Sequence, residues 1–314
     1  MASSPADTAR GDSTTADKNI VYSRELGKIH VMPGPRERLQ RQIAGGIAAL
    51  IAVAGVYKAT QVNRDLEFLG AVQAGNAALV QRYLEEGENP SVQGFDGKSA
   101  LDLAAAKGSG AVTRLLLKCG AEVPFSALNE AAIRGRAPIL GLLLEGRRLN
   151  TAEAGPLLCS AAQSGDIPSV KLLLKRGAPP DARSPRDDDM TPLMYAARSG
   201  KPGVVYTLLE QGADRKARTA KGVTVLMLAA TWNAPVTCQF LIKNGAEVNA
   251  GDNEGNTALM LAASACNLPT ASLLLGCGAR VNAKNKAGKT ALGWAVEGGD
   301  ARIVNLLRRK GARA

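Results

Sequence analysis

The stretch Gly255–Ala283, GNTALMLAASACNLPTASLLLGCGARVNA, is the most regular part of this 314-residue chain and predicts the fold of the rest. Its pattern is a short helix over residues 257–264, a turn, a second helix over residues 269–275, and an exit at Gly278-Ala279. The glycine that closes the phrase recurs 33 residues apart, at Gly87 and Gly120, and again at Gly212, Gly245, Gly278 and Gly311. A fixed period of this length with two short helices indicates a stacked solenoid.

The first helix of the phrase carries a leucine and, three and four positions later, two small residues. Adjacent alanines add almost no thickness, so the first helices can pack closely, and leucine runs such as Leu115–Leu117 fill the layer of second helices. An eighth, degenerate copy starts the array, with Phe68 before Ala71-Val72. The leucines of the other seven copies are Leu101, Leu128, Leu158, Leu193, Leu226, Leu259 and Leu292.

These features, with the turn Thr191-Pro192-Leu193, resemble the ankyrin-repeat family over residues 65–314, about four fifths of the chain. The resemblance implies an all-α fold, a solenoid of stacked helix-turn-helix units with short hairpin tips. It also implies a non-enzymatic scaffold that binds a protein partner through the tips and the concave face of the first helices. The family's histidine after this leucine is absent from every copy, so its hydrogen bonds must be lost or replaced.

Two copies depart from the regular length. Only 26 residues separate Gly120 from Gly146, and the loss falls between Gly120 and Ser126, which predicts a missing hairpin tip there. By contrast, 35 residues separate Gly177 from Gly212. The extra length lies in Arg183–Asp189, which predicts an enlarged, charged tip.

The N-terminal region has a different composition from the repeats. Residues 1–35 lack apolar periodicity and are rich in small and polar residues, which predicts a disordered leader. Residues 36–62 contain Ile43–Tyr57, fifteen residues without a charge or amide, between basic flanks. At ~1.5 Å per residue this run covers about 22 Å, short of the roughly 30 Å of a bilayer core, but its flanks extend it. We interpret it as an isolated apolar helix and a candidate transmembrane anchor.

Two alternatives remain for Ile43–Tyr57. The first is a buried helix of a soluble protein. The second is a cleaved secretory signal, because Ala52-Val53-Ala54 fits a small-x-small cleavage site. If the helix spans a membrane, the larger number of basic residues before it predicts a cytoplasmic N-terminus and a single-pass membrane protein.

The charge of the chain permits an acidic partner. It has 39 Lys and Arg against 28 Asp and Glu, a formal net charge of +11. The alternative hypothesis is therefore a soluble or secreted module that binds nucleic acid or anionic lipid. However, the hairpin tips alternate in charge, which suits a protein partner better than a uniform phosphate backbone, so we do not expect nucleic acid as the partner.

Catalytic and metal-binding patterns are missing from the sequence. Its one histidine, His30, lies in the leader, so it forms no pair with a cysteine or serine of the repeats. We interpret Asp187–Asp189 as a solvated charge run and expect no metal or cofactor. The five cysteines have no CxxC spacing and are predicted to be free thiols.

The candidate partner-binding residues are the charged side chains of the tips and one aromatic residue near the end of a first helix. For that aromatic residue, Trp232, and for Trp294, core filling is the alternative. The candidates are Arg183, Arg186, Arg215, Lys216, Arg218, Lys221, Asp252, Glu254, Lys284, Lys286 and Trp232. The sequence does not identify the partner.

Overall fold

The computed structural model describes residues 20–22, 29–31, 60–184 and 187–313. The chain divides into two compact units, Met1–Arg64 and Asp65–Ala314. In the first unit, strands β1 (Ile20–Tyr22) and β2 (Ile29–Val31) pair antiparallel, with Val21 opposite His30. A two-stranded pair of this length is marginally stable in water, so these six residues do not by themselves make the leader a folded domain.

The described residues from 60 onward contain sixteen α-helices, arranged as eight consecutive helix-turn-helix pairs. The first helices of the pairs are α1 (60–74), α3 (Ala100–Lys107), α5 (Phe125–Ile133), α7 (Thr151–Ser164), α9 (Pro192–Arg198), α11 (Val225–Thr231), α13 (Ala258–Ser264) and α15 (Ala291–Gly298). The second helices are α2 (Ala77–Glu85), α4 (Gly110–Lys118), α6 (Ala137–Leu143), α8 (Ile167–Lys175), α10 (Pro202–Glu210), α12 (Pro235–Lys243), α14 (Leu268–Gly276) and α16 (Ala301–Arg309).

The pairs stack into two layers, because each first helix from α3 onward packs on the next first helix and each second helix on the next second helix. The adjacent alanines of the first helices are fully buried, as Ala229 and Ala230 of α11 show. Leucines such as Leu173 and Leu208 fill the layer of second helices and are also fully buried. The prediction of an all-α solenoid is confirmed for the array.

Three copies have a methionine at the position of the missing histidine, and its sulfur bonds to the N-cap threonine. Thr191, Thr224 and Thr257 each accept a hydrogen bond from the backbone N–H three residues later. In return, the N–H of each threonine donates to the sulfur of the methionine at that position, over 3.4–3.5 Å. Thioether sulfur is a weak acceptor, so these capping boxes are weaker than those made with a carboxylate. In α3 the carboxylate of Asp102 does the same for Ser99 at 2.7 Å.

The connections from one pair to the next are here called fingers, numbered by the pair that precedes them. Fingers 1, 5, 6 and 7 have 14 residues each, over 86–99, 211–224, 244–257 and 277–290. Finger 2 is reduced to 119–124, which confirms the missing tip after Gly120. Finger 4, over 176–191, is two residues longer than the full-length fingers, as predicted from its spacing.

Finger 3, over 144–150, is also short, and the sequence analysis missed it. Here Asn150 caps α7 by accepting from the N–H of Glu153 at 2.9 Å, and the residues that would form a tip become the first turns of a helix of 14 residues. Arg147 fixes the start of this helix, donating to the Val123 carbonyl at 2.7 Å and to the Glu153 carboxylate at 2.5 Å. In this copy, therefore, a longer first helix takes the place of the residues that form a tip in the full-length fingers.

Membrane localisation is the prediction that the structure contradicts. In the part of the chain that it describes, no helix is long and apolar enough to cross a membrane. Helix α1, with the 15 residues 60–74, covers about 22 Å, against a hydrocarbon core of roughly 30 Å. The prediction of a single-pass membrane protein with a cytoplasmic N-terminus is therefore wrong. The isolated apolar helix predicted at Ile43–Tyr57 lies outside the described residues.

All five cysteines are free, as the sequence predicts. Cys119 and Cys277 are exposed, whereas Cys159 and Cys238 are buried between helices. Burial raises the pKa of each of the two buried thiols to about 12, and the nearby charge of Asp187 adds to the effect for Cys159. These two thiols are therefore protonated and shielded at neutral pH.

We expect the two exposed and the two buried thiols to form two groups in their reaction with Ellman's reagent at pH 8, whereas the fifth thiol, Cys266, has intermediate exposure. Cys119 and Cys277 should react at once, whereas Cys159 and Cys238 should react only after denaturant is added, because the reagent needs an accessible thiolate. A variant with Cys119→Ser and Cys277→Ser should lose the fast phase. Rapid modification of Cys159 in the folded protein would contradict the packing described here.

Candidate functional site

The inner-helix face, formed by the partly exposed residues of α9, α11, α13 and α15, is the first candidate surface. Leu228 on α11 and Leu261 on α13 are half-buried and pack partly on the core. Trp232 stands at the end of α11 and is 62% exposed. An apolar strip with an exposed tryptophan is the kind of surface on which protein partners find an anchor.

Trp232 is held outward by a well-bonded turn. It is the C-cap residue of α11, and the next residue, Asn233, adopts a left-handed conformation with φ of 53°. The side-chain amide of Asn267 donates to the carbonyls of Ala230 at 2.9 Å and Thr231 at 2.7 Å. The turn is therefore tied to the next pair, and the ring projects into solvent. The core-filling alternative is wrong for Trp232.

Trp294 has a different environment. Its ring is half-buried, and the Lys289 ammonium lies 3.5 Å from the ring centroid. The same ammonium forms an ion pair with the carboxylate of Glu297. A cation over the indole face stabilises this end of the array and covers part of the ring, so Trp294 is the weaker candidate for a contact residue.

A second cluster, centred on Tyr195, joins finger 4 to α9, and the sequence analysis missed it. The Tyr195 ring is buried, its hydroxyl donates to the carboxylate of Asp187, and the Arg198 guanidinium lies 4.9 Å from its ring centroid. Burial, and then the hydrogen bond to Asp187, raise the pKa of Tyr195 to about 12. Asp187 is thus a partner of Tyr195 rather than part of a free acidic run.

Two of the predicted contact residues connect neighbouring fingers instead. Arg183 of finger 4 donates to the Arg218 carbonyl of finger 5 at 3.1 Å. Arg218 in turn donates to the Gly251 carbonyl of finger 6 at 2.8 Å, and to the Gly222 carbonyl of its own finger at 2.9 Å. Both guanidinium groups therefore have a structural role in the stack of fingers.

Asp252 also has a structural role. Its carboxylate accepts from the N–H groups of Glu254 and Asn256 at 2.9 and 2.8 Å and from the Asn256 side chain at 3.1 Å. These bonds close the turn of finger 6. Because its carboxylate already accepts hydrogen bonds within its own turn, Asp252 is a weaker candidate for contact with a partner than its charge suggests.

The tips of fingers 4 to 7 are joined in series by backbone hydrogen bonds. The N–H groups of Ala220, Asn253 and Lys286 donate to carbonyls of the preceding finger, at Asp188, Lys221 and Glu254, over 2.9–3.2 Å. The fingers therefore form a fixed row. The remaining predicted side chains project from this row and are exposed: Arg215, Lys216, Lys221, Glu254, Lys284 and Lys286. Arg186 lies outside the described residues.

The exposed charges alternate along this row. Finger 5 carries Arg215, Lys216 and Lys221 against one exposed acid, Asp214, so its exposed charge is positive. Finger 6 carries Glu247 and Glu254, and finger 7 carries lysines at 284 and 286. Fingers that are fixed by backbone bonds hold these charges at a constant spacing. Such a pattern selects a partner whose charges match it.

Within the described residues, no group of histidine, cysteine, aspartate and glutamate side chains is placed to hold a metal ion. The geometry that the structure does provide is that of a binding surface, formed by the row of fingers beside the inner-helix face.

Comparison with known proteins gives the same picture. A family model described as "Ankyrin repeats (3 copies)" matches residues 158–252 and 226–314, which together cover half of the chain. The potassium channel AKT2/3 of Arabidopsis thaliana is 31% identical over 153 residues, which are 46% of this chain and 19% of the channel. "Ankyrin repeat, SAM and basic leucine zipper domain-containing protein 1" of Dasypus novemcinctus is 32% identical over 149 residues, 47% of this chain and 26% of that protein.

A third relative is the E3 ubiquitin-protein ligase KEG of Arabidopsis thaliana. It is 29% identical over 177 residues, which are 54% of this chain and 11% of the ligase. The chain thus spans about a quarter or less of the length of these three relatives.

We expect Arg218→Ala to lower the free energy of unfolding by about 1 kcal/mol, because two finger carbonyls lose a charged donor. Urea unfolding measures the effect. Lys221→Ala removes a charge from the same finger without breaking a side-chain bond, and it should stay within about 0.5 kcal/mol of the wild type. Equal effects of the two substitutions would refute the structural role of Arg218.

We expect the stability difference between the wild type and Tyr195→Phe to depend on alkaline pH. The native pKa of about 12 lies above the ordinary value of 10, so the native state favours the neutral phenol. This contribution is complete below pH 10 and is lost as the pH rises towards 12. Urea unfolding at pH 7, 9 and 11 should show a constant difference up to pH 9 and a smaller one at pH 11. A difference that grows at pH 11 would contradict the assignment.

Proposed function

The chain belongs to the ankyrin-repeat family, and from this premise we propose that it is a non-enzymatic scaffold that binds another protein. The fingers and the inner-helix face form the proposed binding surface. Ankyrin repeats are protein interaction modules, and the matched relatives include an ion channel and a ubiquitin ligase. Because each match covers only a small part of the relative, what these proteins share with this chain is the repeats.

We propose further that all eight helix pairs are ankyrin copies, including those before residue 158. Pairs 1 to 3 have the same helix-turn-helix form as the later ones, and pair 2 ends at Gly120 with the left-handed conformation that Gly212 and Gly245 also adopt. The Ser99 capping box in pair 2 uses the same N-cap position as Thr191 in pair 5.

The exposure of Trp232 is the observation that carries the proposed binding surface. Burying a large aromatic side chain removes much apolar surface from water, and here the ring is already fixed outside the core by the Asn267 turn. A partner that covers Trp232 would also cover the half-buried Leu228 and Leu261, which belong to the same face. Little conformational entropy is lost on binding, because the turn is rigid before the partner arrives.

The charge pattern supports a protein rather than a nucleic acid as the partner. Finger 6 presents Glu247 and Glu254 between the basic fingers 5 and 7. A phosphate backbone that follows the row would meet this acidic finger, whereas a folded protein can place a basic group there.

We expect Trp232→Ala to weaken binding of the partner about tenfold or more, as truncation of a central aromatic anchor does. The partner is first captured with the full chain, identified, purified and titrated against each variant. Tyr206→Ala is the matched control, because Tyr206 is 49% exposed but lies on α10, in the layer of second helices. Equal affinities of the two variants would refute the proposed surface, as would capture that disappears after nuclease treatment.

A further inference from the structure

One side-chain position links neighbouring pairs at four junctions of the array. It is the fourth residue after the glycine that follows each second helix, and it is here called the tie position. Asn249 accepts from the Arg280 N–H at 2.8 Å and donates to the Gly278 carbonyl at 3.1 Å. Asn282 makes the same two bonds, to the Arg313 N–H and the Gly311 carbonyl, at 2.8 and 3.1 Å.

Finger 4 and the full-length finger 1 keep the accepting half of this tie. Asp181 in finger 4 accepts from the Asp214 N–H at 2.8 Å, and Ser91 in finger 1 accepts from the Glu122 N–H at 3.0 Å. The N–H in every case belongs to the second residue after the closing glycine of the next pair. The tie thus connects pairs 1 and 2, 4 and 5, 6 and 7, and 7 and 8.

Lys216 occupies the tie position of finger 5. An ammonium group has no lone pair to offer, so it is unable to accept a hydrogen bond. The N–H that the tie should hold belongs to Glu247, and in the described residues it has no hydrogen-bond acceptor. Pairs 5 and 6 therefore stack without the bond that the other full-length fingers make.

A cavity of about 140 Å³, here called the notch, lies at this junction. Its lining includes Arg215, Lys216, Arg218 and Thr224 from finger 5 and Glu247 from finger 6. A second, wider opening of about 490 Å³ lies between α10 and α12 at the same junction and shares Arg215 with the notch.

The notch has an excess of positive charge. It contains three basic side chains and one acidic side chain, and in the described part of the chain none of them takes part in an ion pair. The Arg218 guanidinium is fixed by its bonds to two finger carbonyls, whereas Arg215 and Lys216 are exposed. One bonded and two exposed cations beside an unused N–H are the donors that a carboxylate requires.

We propose that the notch binds a carboxylate side chain from an acidic segment of the protein partner. This inference rests on the proposed function, since it names the chemistry of the partner at one place on the same surface. The carboxylate takes the place of the missing tie: it accepts from the Glu247 N–H, as the Asn249 and Asn282 side chains do in their own fingers, and from Arg215 and Lys216. A singly charged group fits better than a phosphate, because Glu247 is one of the residues that line the notch and its negative charge repels added negative charge.

The test uses the full-length protein and two short blocked peptides that differ only in a Glu-Glu or a Gln-Gln pair. Binding is followed by the backbone amide signal of Glu247 in ¹H–¹⁵N spectra. We expect this signal to move downfield and to saturate with the Glu-Glu peptide, and to stay in place with the Gln-Gln peptide, because only the carboxylate gives a charge-assisted hydrogen bond. No movement with either peptide would overturn the proposal.

Two variants with the same charge change separate the notch from general electrostatics. Lys216→Asn restores the amide of the tie position, so it should raise Tm by about 2 °C and weaken binding of the Glu-Glu peptide about tenfold or more. Lys221→Asn, on the same finger but outside the notch, should leave Tm unchanged and affinity within about twofold. Equal loss of affinity in both variants would overturn the proposal, and so would an unchanged Tm in Lys216→Asn.

The partner assay distinguishes this inference from the proposed function. If the captured partner binds Lys216→Asn as tightly as the wild type, the notch is not part of the interface and the inference is wrong, while the scaffold function stands. If Trp232→Ala has no effect on the partner but the Glu247 amide still responds to the Glu-Glu peptide, the proposed binding surface is wrong and the notch remains a carboxylate site. Binding of a phosphorylated oligonucleotide in preference to the Glu-Glu peptide would overturn the proposal in favour of nucleic acid.

Discussion

Each helix pair needs its neighbours to bury its apolar side chains, and the rest of the structure depends on this contact between pairs. The adjacent alanines of one first helix, such as Ala196 and Ala197, are covered by the next first helix, and no central core serves all eight pairs. Hydrogen bonds between residues about one repeat apart fix the register of this stack, as Asn282 does for pair 8. A weak junction therefore stays local in its structure, but it affects the cooperativity of the whole array.

The sequence predicts most of the fold because its period is a direct consequence of this packing. The shortened finger after Gly120 was found by counting, since the residues were simply deleted. Finger 3 was not predicted, because the spacing from Gly146 to Gly177 is 31 residues, only two fewer than the period of 33. Residues after Asn150 form the first turns of α7 instead of a tip. The hydrogen bond to the Met194 sulfur was not predicted either. The sequence shows that the histidine is absent, but not which atom takes over its hydrogen bond.

The candidate site was harder to predict than the fold, because a charged residue has the same appearance in a sequence whether it binds a partner or the chain itself. Arg183 and Arg218 were selected for their charge, but their guanidinium groups hold the carbonyls of the next finger. The exposure of its side chain shows that Trp232 does not fill the core, and exposure is known only from the structure. The hydrogen bond from Tyr195 to Asp187 joins a helix to a tip, and no sequence pattern predicts such a pair.

The structure also shows why a departure from the repeat is informative at one position and not at another. A lysine at an exposed tip such as Lys284 changes only the surface charge, because no neighbour depends on that side chain. A lysine at the tie position, as at Lys216, removes an acceptor that the next pair requires, and so costs stability at the junction of pairs 5 and 6. Natural sequences tend to break local rules of this kind where function compensates for the cost. Lys216 lies beside two arginines and beside the Glu247 N–H, which has no acceptor in the described residues. This combination of a lost tie and positive charge favours a binding role for the notch over chance variation.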